Sequence, residues 1–271
     1  MVDVRQSGSS PTFALTLPGL VVCDLMELAP SMQPTLLKWL HQLTDAEICA
    51  QTNRELARST AGTVRNYFLE AIDQRRAAPA NDLLTLIALA RPDGAQLDTP
   101  EVASLCMLLF LAGIDTTSSL IGKSILWLWM YPQQRQALAD DPALIPAGVE
   151  ELLRYDPPVH QSARTVTKDV VLAGSEIPAD SRVVLLFASA NRDERHYPDA
   201  EILDVRRNPD DHLAFGEGIY RCLGAPLARL ETRIALQELL AQFPGYTVVS
   251  EPEWFKAVDV RALRSLVVEL A

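Results

Sequence analysis

The stretch that decides the fold runs from Phe215 to Gly224 and reads Phe-Gly-Glu-Gly-Ile-Tyr-Arg-Cys-Leu-Gly. Ala-Pro-Leu-Ala-Arg follows at once, and apolar residues then recur at helical spacing from Leu227 to Leu240. Pro226 fits a first helical turn, where no N–H group is needed. The stretch therefore predicts a glycine-rich loop that carries one cysteine, Cys222, to the start of a helix.

A cysteine in that position has the properties of a metal ligand. The unpaired N–H groups and the positive dipole end of the helix favour thiolate over thiol. Gly216, Gly218 and Gly224 let the backbone turn sharply and let a flat group approach closely. Haem iron, which accepts a cysteine thiolate, is the metal that this arrangement favours.

The loop resembles the cysteine-ligand loop of the cytochrome P-450 family, with Phe seven positions before the cysteine, Gly four before and Gly two after. The resemblance extends from about Val22 to the C-terminus. It implies a mainly α fold with a small β portion, as one P-450-like domain over 1–271 with a flexible leader over 1–12. It also implies a form shortened by about the first third of the family fold.

For the cofactor, the resemblance implies heme b held through Cys222. The loop residues Phe215, Gly216, Gly218 and Gly224 would shape the site, and His212 matches the usual approach to the loop. Arg164 stands where the family often places an arginine against a haem propionate, although an exposed strand arginine is the alternative. Two positions before the cysteine, where the family usually has His or Arg, this sequence has Tyr220.

A second motif is Glu151-Leu152-Leu153-Arg154, whose acid and base share one helix face at i, i+3. Alone, such a pair is usually solvated. The motif resembles the family's Glu-x-x-Arg helix, whose pair anchors the chain behind the cysteine loop. The family completes a triad with a further arginine, at a position where this sequence has Ile202. We therefore expect the buried pair Glu151–Arg154 to be less well satisfied than in the family.

A third motif, Ala112 to Thr117, places a polar cluster in the middle of an apolar helix. One interpretation is that threonine hydroxyls bond back to carbonyls one turn earlier. The segment also resembles the family's oxygen-binding groove, where a loosened turn at Ala112 and Gly113 opens beside the iron. On that interpretation Thr116 supports the iron–oxygen chemistry and Asp115 relays protons.

Along the chain, the spacing of apolar residues and the positions of turn-forming residues predict mostly helices, with strands in the second half. We expect the helix that begins at Asp98-Thr99-Pro100-Glu101 to be buried on nearly every side until Gly113. The predicted helices are 34–41, 45–76, 82–90, 98–130, 144–155 and one after Pro132, and the predicted strands are 166–171, 182–187 and 263–270. The segment 193–211 is predicted to be irregular.

Composition favours an intracellular globular protein: 271 residues, 48% of them hydrophobic and 22% charged. The net charge of −11 argues against nucleic acid or an anionic membrane as a partner. The four cysteines form no CxxC pair, so we expect Cys23, Cys49 and Cys106 to be small buried apolar side chains. We expect a cytoplasmic location, since the polar N-terminus lacks the apolar core of a signal peptide.

Three functional hypotheses follow. The first is a monooxygenase that oxidises a small organic, secondary-metabolite-like substrate with electrons from a ferredoxin and its reductase. Its docking surface would include Arg206, Arg207, Arg221, Arg229 and Arg233. The second is a degenerate relative that acts as a scaffold or a non-redox catalyst. The third is a thiol enzyme that pairs Cys222 with His212 or His160. The implied loss of the N-terminal third also predicts a homodimer or a partner chain that covers exposed apolar faces.

Overall fold

The computed structural model of the protein describes residues 2–5, 13–48, 54–255 and 259–270. These residues form two compact units, one over 13–118 and one over 119–270 together with 2–5. Of the expected leader, Val2–Arg5 is a strand. Residues 1 and 6–12 lie outside the described residues, as does Cys49. The single domain over 1–271 stays a prediction.

The first unit is helical in its described part. Its helices are α1 (Phe13–Leu25), α2 (Gln33–Ile48), α3 (Arg54–Ala77), α4 (Leu83–Ala88) and the first part of α5 (Thr99–Met130). The rings of Phe68 and Phe110 meet edge to face in its core, with centroids 5.9 Å apart. α1 continues through Pro18 and packs closely against α2, since a Cβ on Gly19 would lie 2.4 Å from the Leu37 side chain.

The predicted helix starts at Asp82 and Asp98 are confirmed. The Asp82 carboxylate accepts a hydrogen bond from the Thr85 amide at 2.6 Å and so begins α4. At the start of α5, Asp98 accepts from the Glu101 amide at 2.7 Å, and Glu101 accepts from the Asp98 amide at 2.9 Å. This reciprocal pair is a capping box, and it satisfies N–H groups that a helix start leaves open.

The expected burial of α5 is wrong for its first half. Before Gly113 one face of the helix is open, and Leu108 on that face is 60% exposed. Full burial comes later, from Ser119 to Leu126. Within the described residues α5 is the one helix long and apolar enough to cross a membrane. Its buried stretch carries Lys123, which bonds to other parts of the same unit as a core helix does.

The second unit combines the rest of α5 with four further helices and eight strands in its described residues. The helices are α6 (Pro132–Asp140), α7 (Ile145–Tyr155), α8 (Phe187–Ala190) and α9 (Ala225–Gln242). The strands are β1 (Val2–Arg5), β2 (Ser162–Thr165), β3 (Val170–Leu172), β4 (Ser175–Ile177), β5 (Arg182–Leu185), β6 (Thr247–Val248), β7 (Glu253–Trp254) and β8 (Leu263–Glu269).

β8 is the centre of the largest sheet: it pairs in parallel with β1 and antiparallel with β6 and β7. β2 with β5 and β3 with β4 form two antiparallel pairs. The predicted strand over 166–171 is wrong in its bounds, because 166–169 is a turn between β2 and β3. The strand after Arg182 and the final strand are confirmed, and so is a mainly α fold with a small β portion.

Candidate functional site

The loop between Phe215 and α9 presents Cys222 at the surface of the second unit. The Cys222 amide donates to the Phe215 carbonyl at 2.8 Å, which closes the loop, and the Arg221 amide donates to the Gly218 carbonyl at 3.1 Å. The next residues enter α9, where the Ala228 amide donates to the Gly224 carbonyl at 2.9 Å. The cysteine therefore lies at the N-terminal end of α9, as the sequence predicts, and its side chain is exposed.

The three glycines of the loop differ in backbone conformation. Gly216 and Gly218 both have φ of +68°, a left-handed backbone conformation that other residues adopt at a cost. Gly224 has an ordinary φ of −80°, and a Cβ there would lie 3.9 Å from the Cys222 sulfur, an ordinary van der Waals distance. Backbone conformation therefore explains the glycines at 216 and 218, whereas neither conformation nor this contact requires one at 224.

Apolar side chains flank the exposed cysteine. Ile219 is 91% exposed and Leu223 is 83% exposed. They are the two most exposed large apolar side chains among the described residues, and apolar surface gathered in one loop is typical of a surface that binds something apolar. An exposed thiol with two open aliphatic side chains in the same loop matches what the flat, largely apolar face of a haem needs: one soft donor for the iron and apolar contacts around it. The residues present therefore fit a haem.

His212 holds the approach to the loop and is buried. Its Nδ1 accepts the Ala214 amide at 3.2 Å, so Nε2 carries the proton and donates to Glu150 at 3.0 Å. Glu150 also accepts two hydrogen bonds from Arg229 of α9, at 2.7 and 2.8 Å. Burial alone would raise the pKa of Glu150, but the hydrogen bonds from His212 and Arg229 outweigh it and lower that pKa to about 2. A role of His212 toward haem stays a prediction.

Arg164, on β2, lies against the cysteine loop. Its guanidinium carbon is 4.6 Å from the centre of the Tyr220 ring, a cation–π contact. The same guanidinium donates to the Ser162 hydroxyl and the Ala163 carbonyl, both at 2.9 Å. Arg164 is partly exposed and Tyr220 is 66% exposed. The structure thus brings together two side chains that the sequence analysis considered separately: the guanidinium of Arg164 and the phenol of Tyr220 are in contact at the edge of the loop.

Behind the loop, Glu151 and Arg154 are both fully buried. Arg154 binds the carboxylate of Glu151 through Nε at 2.7 Å and Nη2 at 2.8 Å. Its remaining N–H groups donate to three backbone carbonyls, those of Asn191 and Ala200 at 2.9 Å and that of Ile202 at 3.3 Å. Every N–H of this guanidinium therefore has an acceptor, and the predicted pair is present.

The expectation that this pair lacks a third partner is wrong. Arg207 donates from Nε to Oε1 of Glu151 at 3.2 Å, and the Asp204 amide donates to the same oxygen at 3.0 Å. Ile202 contributes its carbonyl to the network, while 57% of the residue is exposed. Two arginines that the sequence assigned to a docking surface are thus internal partners: Arg207 binds Glu151 and Arg229 binds Glu150.

The motif Ala112–Thr117 belongs to the first unit. α5 is helical through it, and the Thr116 hydroxyl donates to the Ala112 carbonyl at 2.9 Å. This is the back-bonding of the first interpretation, and a loosened turn is not seen in this helix. Gly113 has a packing reason, since a Cβ there would lie 3.1 Å from the Val22 side chain. Asp115 and Thr116 are both partly exposed, and their catalytic roles stay predictions.

Sequence reasoning missed a buried charge cluster around Asp156. Its carboxylate accepts from Lys123 at 3.1 Å, from the Trp127 indole at 2.9 Å and from His160 at 3.1 Å. Burial lowers the pKa of Lys123 to about 8 against the opposing charge of Asp156. Burial would raise the pKa of Asp156, but the hydrogen bond from His160 and the charge of Lys123 lower it to about 2. The available signal was a lysine inside the apolar run of α5.

The cysteines and histidines weigh against a thiol enzyme. Cys23 and Cys106 are fully buried, as predicted, and burial raises the pKa of each to about 11. A thiol enzyme needs a base free to take the proton of Cys222. Both ring nitrogens of His212 are engaged elsewhere, and among the described residues neither His212 nor His160 is hydrogen-bonded to the Cys222 sulfur.

Comparison with known proteins identifies relatives of this chain. A family model described as "Cytochrome P450" matches residues 25–249. The chain is 35% identical over 273 residues to "Polyketide biosynthesis cytochrome P450 PksS" of Bacillus subtilis, covering 99% of this chain and 65% of that protein. It is 40% identical over 245 residues to "Erythromycin C-12 hydroxylase" of Saccharopolyspora erythraea, covering 89% of this chain and 62% of that protein.

Solved structures agree with these relatives. The structure of PksS from Bacillus subtilis has a TM-score of 0.89, with 35% identity, and the match covers 96% of this chain and 67% of that one. The open form of cytochrome P450 Eryk from S. erythraea has a TM-score of 0.89, with 38% identity, and the match covers 95% and 67%. The chain spans 62–65% of the length of the two curated relatives named above.

Proposed function

Because the chain belongs to the cytochrome P450 family, we propose that it is a monooxygenase whose haem iron is held by Cys222. Proteins of this family are haem-thiolate enzymes that bind heme through a cysteine. The observation that carries the proposal is the loop geometry: an exposed Cys222 at the start of α9, in a closed turn that also exposes the aliphatic side chains of Ile219 and Leu223.

Each loop residue has a task in this proposal. The Cys222 sulfur holds the iron, and the closed turn from Phe215 to Cys222 fixes its position. Arg164 with Tyr220 supplies a cation and a hydroxyl that would bind the carboxylates of heme b by charge-assisted hydrogen bonds. Ile219 and Leu223 cover apolar surface and exclude water. When bound, the haem supplies the activation of O2 and the oxidation of the substrate.

Proton delivery is assigned to the residues of α5 that the sequence singles out. We place Asp115 as the acid that holds a proton drawn from solvent, and Thr116 as the hydroxyl that passes it on. The hydroxyl of Thr116 is bonded to the Ala112 carbonyl at 2.9 Å, so it must rotate or share that bond when it donates elsewhere. For Ala112 and Gly113 a cofactor-binding role rests on the resemblance to the family alone.

For the substrate we propose a small organic molecule of secondary metabolism. The support is the printed names of relatives, which include a hydroxylase of erythromycin and a "6-deoxyerythronolide B hydroxylase". Electrons would come from a ferredoxin and its reductase. We also propose a cytoplasmic location, which the free, buried thiols of Cys23 and Cys106 favour, because free thiols persist in reducing compartments.

A partner chain is part of the proposal as well. Apolar side chains of α9 stay open, with Leu230 and Ile234 each 48% exposed one turn apart. A homodimer or a second chain would cover such a stripe. Analytical ultracentrifugation of the purified chain tests this, and a monomer at every concentration would reject the homodimer.

The test of the main proposal is an absorption spectrum. Protein expressed with added haem is reduced with dithionite and exposed to carbon monoxide. We expect the red-shifted Soret band of cysteinate-bound haem, retained in Cys106→Ala and lost in Cys222→Ser. Because the Cys222 side chain is exposed, Cys222→Ser should unfold at the wild-type temperature when haem-free. A colourless protein, or a band that survives Cys222→Ser, would reject the proposal.

The degenerate relative is the second candidate. It is favoured by Tyr220, at the position where the family usually has His or Arg. It predicts a folded protein without stoichiometric haem. The same spectrum separates the two candidates.

A further inference from the structure

The buried carboxylate of Glu151 has two arginine partners, and one of them lies at an unexpected place in the chain. The resemblance to the family puts the third residue of the network at position 202, where this chain has an exposed isoleucine. The structure brings Arg207 to the carboxylate instead, with Nε 3.2 Å from Oε1. The side chain of Arg207 is 18% exposed, so most of it is covered.

The remaining donors of Arg207 hold the irregular segment around it. Nη1 donates to the Pro198 carbonyl at 2.7 Å, and Nη2 donates to the carbonyls of Asp199 and Ile202 at 3.1 and 3.3 Å. Asp199 has a φ of +54°, a left-handed backbone conformation that is uncommon for residues other than glycine. Arg207 therefore binds three carbonyls of a strained turn and the one carboxylate behind it.

This network continues to the cysteine loop. Glu151 binds Arg154, and Arg154 donates to the Asn191 carbonyl at 2.9 Å. The side-chain oxygen of Asn191 accepts the Leu213 amide at 2.7 Å, at the point where the chain turns toward Phe215 and Cys222. The contacts form one continuous path from Arg207 to the start of the loop.

We propose that Arg207 takes the place of the arginine that the resemblance expects at position 202, and that it positions the loop carrying Cys222. It is a positioning residue: it acts through Glu151 and Arg154 and needs no contact with a cofactor. The consequence of this positioning for haem rests on the proposed function, whereas its effect on the loop does not.

The experiment compares four variants of the whole chain by urea unfolding and by hydrogen exchange of the peptide that spans 212–222. Arg207→Gln should lower the folded-to-unfolded ratio by about tenfold or more, because it removes hydrogen bonds to a buried charge. It should also speed exchange in 212–222. Arg207→Lys keeps the charge without the planar fork, and we expect it to recover only part of the loss.

Two further variants complete the design. Arg206→Gln changes a neighbouring exposed arginine and should behave as wild type. Ile202→Arg combined with Arg207→Gln should restore both stability and slow exchange in 212–222. The proposal is overturned if Arg207→Gln matches Arg206→Gln, if stability falls while exchange in 212–222 stays unchanged, or if the double variant fails to recover.

Both readouts are taken on haem-free protein, so they are independent of the haem spectrum. If Cys222→Ser leaves the Soret band unchanged but Arg207→Gln loosens 212–222, the proposed function fails and the role of Arg207 stands. If the spectrum is as expected and Arg207→Gln does not change exchange in 212–222, the role proposed for Arg207 fails and the proposed function stands.

Discussion

Two buried glutamates of the second unit have opposite surroundings. Glu151 on α7 is fully buried and accepts hydrogen bonds from Arg154, Arg207 and the Asp204 amide. Glu231 on α9 is 5% exposed, and neither of its carboxylate oxygens has a hydrogen-bond partner among the described residues. Burial raises the pKa of Glu231 to about 7.

The difference shows that an inward position on a helix does not by itself compensate a buried charge. Both residues lie on the face of a helix that points into the unit. Glu151 lies opposite the irregular segment 193–211, which supplies donors of its own. No donor among the described residues reaches Glu231 on α9, so below about pH 7 this carboxyl is held there as the neutral acid.

The largest change in stability is expected when Glu151 loses its hydrogen-bond partner Arg154. Arg154→Met should lower the free energy of unfolding by about 3–5 kcal/mol, because it leaves Glu151 buried without its bidentate partner. Urea unfolding at neutral pH measures this. The matched control is Arg195→Met, which removes the same charge from a residue whose side chain is 91% exposed and should leave the unfolding midpoint unchanged. Equal midpoints for the two variants would show that the network adds no stability.

The second-largest change in stability is expected when the unpartnered carboxyl of Glu231 is replaced by a neutral amide. The folded-state pKa of Glu231, about 7, lies above the usual value of 4.5, so the folded protein holds its proton longer than the unfolded chain. Stability should therefore fall as pH rises from about 4.5 to 7. Glu231→Gln removes that fall and should stabilise the protein at pH 8 by up to about 3 kcal/mol.

Thermal or urea unfolding from pH 4.5 to 8 tests this prediction. Glu238→Gln is the control, since Glu238 is an exposed residue of the same helix whose carboxylate accepts from Gln242 at 3.0 Å. If the Glu231→Gln curve runs parallel to that of the wild type across this range, Glu231 carries no penalty.

The smallest effect is expected at Glu150, which is partly exposed and bound by His212 and Arg229. Its pKa, about 2, lies below the usual 4.5, so its contribution is complete above pH 4.5 and is lost as pH falls toward 2. After allowance for solvent screening, Glu150→Gln should cost about 1–2 kcal/mol at pH 7.

Acid unfolding measures how the cost of Glu150→Gln depends on pH. The gap between wild type and variant should narrow between pH 4.5 and pH 3. Glu176→Gln, in the exposed strand β4, should show no gap at either pH. A gap at Glu150 that stays constant down to pH 3 would contradict the assigned ion pair.

Much of the molecule follows from local chemistry. The starts of α4 and α5 follow from Asp82 and Asp98, and the start of α9 follows from Pro226. The bounds of β2 and β3 do not, because β2 is mostly half-buried and β3 is exposed, so neither short strand alternates between buried and exposed residues. The predicted burial of the first half of α5 is also wrong, because apolar content alone does not show which side of a helix packs against other elements.

The sequence by itself determined the cysteine loop and its surroundings. Glycines at positive φ, a helix start after Cys222 and the Glu151–Arg154 pair at i, i+3 are all local features, and local features can be read from spacing. Only the tertiary structure decided the partners that buried charges find in distant parts of the chain. Arg207 reaches Glu151, and Lys123 reaches Asp156, across 56 and 33 residues of chain, and such contacts depend on how distant segments pack.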